Sequence, residues 1–146
     1  MSAHMTGLII GGVAPAFLFA FANLFIKSSS DLGIGTGPYL LCAGAAILGI
    51  GLAISITSSG FAIPLKAGSY AFCAGLTWGT GVALVSIAIA KYQTPMSILV
   101  PLFNMNTLVA VLLALWIFAE WKQVHIPRLA IGTVLITAGG ILVAKA

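Results

Sequence analysis

The stretch "PLFNMNTLVAVLLALWIFAEW", Pro101 to Trp121, is apolar enough to cross a bilayer. It nevertheless carries Pro101, Asn104 and Asn106 well inside and reaches Glu120 at its end. A membrane helix needs about 20 predominantly apolar residues, and this segment supplies them between "KYQTP" and "EWKQVHIPR". Its amides raise the functional question, because a leucine in their place would be cheaper in lipid.

The rest of the chain has the same character. Of 146 residues, 61% are hydrophobic and 5% charged, and the mean hydropathy is +1.20. A soluble domain carries about a quarter charged residues, so this composition predicts an integral membrane protein. Charges and turn residues cut it into five spans: Gly7–Ile26, Pro38–Ser59, Ala67–Ala90, Met96–Ala119 and Leu129–Ala144. The expected fold is an all-α five-transmembrane-helix bundle. "MSAHM" contains the His-Met of a cloning site, so residues 1–4 read as a cloning remnant and 5–146 as one transmembrane domain, multi-pass in the cell (inner) membrane.

The net charge of +4 comes from six Lys/Arg against Asp31 and Glu120, all in or near loops. These read as topology and headgroup residues, not as a nucleic-acid surface. With the N-terminus on face B, Lys27, Lys91 and Lys145 fall on face A, and Lys66, Lys122 and Arg128 on face B. The positive-inside rule reads such an asymmetry to set orientation, and here it reads zero, so the chain is expected to insert both ways.

No span holds Asp, Glu, Lys or Arg away from its ends. That argues against a proton pump, a voltage sensor or an exchanger built on an embedded carboxylate. It also argues against an enzyme, since general acid–base work needs positioned titratable groups. No cofactor, metal ligand set or catalytic residue is expected. Cys42 and Cys73 fall near opposite faces, which argues against a disulfide, and read as buried small apolar residues.

Within the fourth span, Ser97, Pro101, Asn104, Thr107 and Val111 recur at spacings of three or four and share a face. Asn104 and Thr107 lie near mid-depth. Asn106 is about 200° around the helix from Asn104 and reads as interhelical hydrogen-bond glue, a role that also stands as the alternative for Asn104. In the third span, Trp78 sits at the midpoint beside Thr77 and Gly79, where a ring can wall a cavity. Asn23, late in the first span, could close that cavity on face A. The expected substrate-binding set is therefore Asn104, Thr107, Trp78, Thr77, Asn23 and Ser97. Pro15 and Pro101, inside spans, mark bends that either pack a kink or line a cavity. Thr133, Thr137, Gly140 and Ala144 form a small stripe expected to seat another helix, with Gly140 expected to serve dimerisation.

"PMSILVPLFNMNTLVAVLLALWIFAEW" followed by "LAIGTVLITAGGILVAKA" resembles the end of an EamA-like repeat of the drug/metabolite transporter superfamily. In that pattern a penultimate helix starts after a proline, carries a second near its start and ends on a glutamate, and a glycine-bearing last helix follows. Pro95, Pro101, Glu120, Gly132 and Gly140 occupy those positions, and "FANLFIK" resembles the end of the repeat's first helix. Members usually hold two such five-helix repeats in inverted orientations and move amino acids, sugars, nucleotide sugars, phosphorylated metabolites or drugs. The resemblance implies that these five spans correspond to one half of a ten-helix inverted-repeat transporter. Two copies in opposite orientations, an antiparallel homodimer, would rebuild the whole around a small-molecule substrate. The alternatives are a half-transporter with a different partner chain, or a non-transporting accessory subunit.

Overall fold

A computed structural model describes residues 3–58, 61–122, 124–143 and 145. The described residues are helical apart from short connections, with no strand among them. Five helices are long and apolar enough to cross a membrane: Met5–Asp31, Thr36–Thr57, Leu65–Tyr92, Met96–Ile117 and Ile126–Val143. The protein is therefore a multi-pass membrane protein. Met1, Ser2, Ser59 and Ala144, on which the expected remnant, the second span's end, the fifth span's end and part of the small stripe fall, lie outside the described residues.

The first span is α1 (Ala3–Leu8), a π-helical turn (Ile9–Val13) and α2 (Ala14–Asp31). The π turn has a local cause. Pro15 has no N–H, and its ring would press on the carbonyl four residues back, that of Gly11. The ladder slips by one residue just before it, and the Ala14 N–H donates to the Ile9 carbonyl instead of to Ile10. The expected bend at Pro15 is thus a change of register.

α3 (Thr36–Thr57) and α4 (Leu65–Tyr92) form the second and third spans. α4 begins directly after Pro64 and ends at Gln93, which adopts a left-handed conformation (φ 53°). The Gln93 amide donates to the Ile89 carbonyl at 3.1 Å and its side chain to the Ala90 carbonyl at 2.9 Å. These bonds satisfy carbonyls that a helix end leaves open. Pro95 then prevents continuation and α5 starts at Met96.

The fourth span is α5 (Met96–Phe103) and α6 (Asn106–Ile117), and the fifth is α7 (Ile126–Val143). Between α6 and α7, Ala119 is left-handed (φ 54°) and a short 3₁₀ turn covers Glu120–Lys122. Pro127, expected in a loop, is the second residue of α7, where its missing N–H would be unpaired anyway.

The chain divides into two compact units, residues 1–93 and 94–146. In the first, α2 and α3 both pack on α4. Its buried residues are Ile26 on α2, and Ser86 and Ile89 on α4. The Thr36 and Ser86 hydroxyls join α3 to α4 at 3.1 Å. Lys27 and Asp31 form an ion pair one helical turn apart. In the second unit, α5 and α6 both pack on α7, burying Thr133 and Gly140.

Most apolar side chains stay exposed, Phe17, Leu41, Phe72, Trp116 and Leu142 among them. Lipid is as apolar as leucine, so no hydrophobic drive gathers these faces together. The same reason corrects the cysteine expectation: Cys42 and Cys73 are free thiols, and both are exposed. In lipid the apolar face of a helix points outward.

Candidate functional site

The fourth span breaks in its middle, and Pro101 is the origin. Its missing N–H leaves the Ser97 carbonyl without its helical partner. The helix survives for two more residues, since Asn104 N–H still donates to Val100 at 3.1 Å. Then it tightens. Met105 N–H donates to Leu102 at 3.0 Å, Thr107 to Asn104 at 3.0 Å and Leu108 to Met105 at 3.1 Å. These are three-residue steps of 3₁₀ type. Met105 has turned away from Pro101, so the Pro101 carbonyl also loses its helical partner.

α7 meets that carbonyl with a glycine. A Cβ on Gly140 would stand 2.9 Å from the Pro101 oxygen and 3.4 Å from Met105 Cγ. Only a residue without Cβ lets the two backbones approach this closely. The sequence reading gave Gly140 to a dimer contact. In the structure that face is taken by the same chain's own broken helix. Thr133 and Thr137 on the stripe return their hydroxyls to their own helix, at Leu129 (2.8 Å) and Thr133 (3.0 Å).

Asn104 sits in the break itself, exposed, with φ −66° and ψ −11°. Ser97 is exposed about two turns earlier, and Thr107 is half-buried in the first turn of α6. The second unit therefore sets Ser97, Asn104 and Thr107 along one broken span. In the first unit, Asn23 is half-buried on α2, while Thr77 and Trp78 are exposed on α4. Thr77 donates to its own helix at Cys73 (2.8 Å). Trp78 is 54% exposed. No hydrogen bond or ring contact joins Asn23 to Thr77 or Trp78.

The amides of Asn23, Asn104 and Asn106 make no side-chain hydrogen bond within the described chain. An unpaired amide in hydrocarbon costs several kcal/mol. The glue role for Asn106 finds no partner helix here.

Three features escaped the sequence reading: the π turn, the Thr36–Ser86 pair and the seat of Gly140 under Pro101. Pro15 and Gly140 signalled a bend and a packing stripe but not the register slip or the partner, and Ser86 signalled only as a lone hydroxyl in the apolar run "GVALVSIAIA". Among the described residues no group of three His, Cys, Asp or Glu is placed to hold a metal ion. Chemically the arrangement offers neutral donors and acceptors without charge.

No protein-family model, characterised protein or solved structure matches this chain.

Trp78→Ala is expected to leave stability nearly unchanged, within about 0.5 kcal/mol, as for a surface substitution. If Trp78 walls a binding site, the variant loses ligand-induced stabilisation while melting at the wild-type temperature without ligand. A variant that unfolds or aggregates in detergent would make Trp78 a packing residue and place any site elsewhere.

Proposed function

We propose that the protein is a membrane transporter that moves a small neutral or zwitterionic metabolite by alternating access, assembled as an antiparallel homodimer. The observation that carries this reading is the mid-span break of the fourth helix at Asn104–Met105, with unpaired amides on and beside it. Discontinuous helices near the bilayer midplane, built into inverted repeats, are how secondary transporters form substrate sites. Irregular backbone at that depth is tolerated only against protein or a watery cavity. Opening Pro101 and Asn104 toward a cavity would give the freed carbonyl and the amide a substrate to bind.

The EamA-like pattern of "PLFNMNTLVAVLLALWIFAEW" supports the same class. So does the exposure of nearly every helix face, which leaves room for a second set of helices. The three-against-three division of Lys and Arg allows that set to be a second, inverted copy of this chain. An uncharged site favours neutral or zwitterionic solutes; a phosphorylated one would call for an arginine or lysine clamp. Nothing in the spans equips the chain as an enzyme, and the inner membrane is its proposed location.

The test is uptake into proteoliposomes containing only this chain. Thermal shift against a panel of neutral and zwitterionic metabolites selects the solute, because a ligand of the folded state raises its stability with concentration. Saturable uptake is the expected result. Absence of uptake for every stabilising solute would contradict the homodimer and leave a different partner chain or a non-transporting role.

Within this reading Asn104 and Asn106 separate. Asn104→Leu is expected to lower the initial uptake rate at least tenfold, one lost hydrogen bond to substrate being worth about 1.4 kcal/mol or more. Asn106→Leu should lower it less, since Asn106 lies off the Asn104 face and an interhelical bond to the second copy would be worth only about 0.6 kcal/mol. Equal losses at matched expression, or a worse Asn106 variant, would remove Asn104 from the site.

A further inference from the structure

A groove of about 290 Å³ runs between α6 and α7, lined by Leu108, Val111, Leu112 and Leu115 on one side and chiefly by Leu129 and Val134 on the other. Its one hydroxyl, that of Thr133, already donates to the Leu129 carbonyl at 2.8 Å. The groove thus has no side-chain donor left to offer, and its lining favours an occupant that is apolar along its length.

One end of the groove is different. Leu115 and Leu129 lie at the turn joining α6 to α7, and that turn carries Lys122, with Arg128 in the first turn of α7. Both cations are exposed, and neither forms an ion pair with Glu120 or any other described residue. Trp116 and Trp121 are exposed at the same end, as residues at headgroup level are. The apolar groove therefore leads to a cationic mouth where lipid phosphates lie.

We propose that this groove holds one acyl chain of an anionic phospholipid, with the lipid phosphate against Lys122 and Arg128. Charge complementarity selects this occupant over a second copy of the chain. An inverted copy laid along the groove would bring its own C-terminal Lys145 to the mouth and set cation against cation. A lipid anion instead neutralises a pair of charges that the protein leaves open, and the N-terminal end of α7 adds its partial positive charge at the same place. The proposal is independent of transport, since none of the groove residues belongs to the proposed substrate set.

The experiment is native mass spectrometry of the delipidated protein, titrated with palmitoyl-oleoyl phosphatidylglycerol or with phosphatidylcholine of the same chains. Each basic residue near a lipid surface contributes about fivefold in affinity, so wild type should prefer phosphatidylglycerol by about thirtyfold. The double variant Lys122→Ala, Arg128→Ala should lose that preference, while Lys66→Ala keeps it. Leu112→Trp and Ala130→Trp, each filling the groove, should weaken both lipids at an unchanged melting temperature. Equal affinity of wild type for the two lipids, or a preference that survives the double variant, would overturn the proposal. So would groove-filling variants that bind lipid normally but lose the dimer, which would give the groove to a second copy.

Discussion

Two lysines added on face A, as Ala90→Lys with Gln93→Lys, are expected to force the chain into one orientation and nearly abolish transport. Both positions are exposed at the end of α4 and in the connection to α5. The wild type is balanced, with Lys27, Lys91 and Lys145 against Lys66, Lys122 and Arg128. Lys27 is paired with Asp31, but acidic residues contribute little to orientation, so the tie stands. Each juxtamembrane cation interacts with anionic lipid by about 1 kcal/mol, and two bias a balanced ratio by about thirtyfold. Two lysines on the other face, as Phe61→Lys with Ala62→Lys, should fix the opposite orientation with the same loss. Co-expressing the two biased variants should restore uptake, because each supplies the inverted partner the other lacks. Full activity from either biased variant alone would contradict the antiparallel pair.

The second large effect is expected from Gly140→Leu. A Cβ there meets the Pro101 carbonyl at 2.9 Å, and a backbone oxygen cannot swing aside as a side-chain end can. Overpacking of this kind costs about 1–3 kcal/mol, and the bulk of leucine places the variant at the upper end. The melting temperature in detergent should fall by roughly 5–10 °C. The neighbouring Gly139→Leu is the control: nothing lies within 4 Å of its added Cβ, and it should melt like wild type. If both variants keep the wild-type melting temperature, α7 does not rest on the broken helix at Gly140.

The five spans were legible because lipid imposes one demand on every residue it touches, and "KSSSD", "KYQTP" and "EWKQVHIPR" interrupt it unmistakably. The helix ends were less so. Lys66 and Arg128 were read as loop residues, yet both lie in first helical turns, where long basic side chains reach the interface without ending the helix. The prolines showed where the ladder would be disturbed but not how. A slip into π register before Pro15 and a break three residues after Pro101 are both answers to one missing N–H. Gly140 was legible as a small residue on a packing stripe, whereas its partner was not, because a Cβ-free surface accepts the chain's own backbone as readily as another chain's. For the candidate site, periodicity put Ser97, Asn104 and Thr107 on one expected face, and the structure sets them along one broken span. The sequence also pointed to Trp78 as a ring among small neighbours. The unpaired state of the Asn23, Asn104 and Asn106 amides emerged only from the folded chain, since sequence alone does not show which groups find partners.

The most direct test of the inverted pair is the location of the wild-type C-terminus, after Lys145 on face A. Two C-terminal reporters, one active only in the cytoplasm and one only outside it, are fused to the otherwise unaltered chain and compared at equal expression. Substantial signal from both is expected, because neither face outweighs the other in positive charge. Signal from one side alone would contradict the antiparallel homodimer.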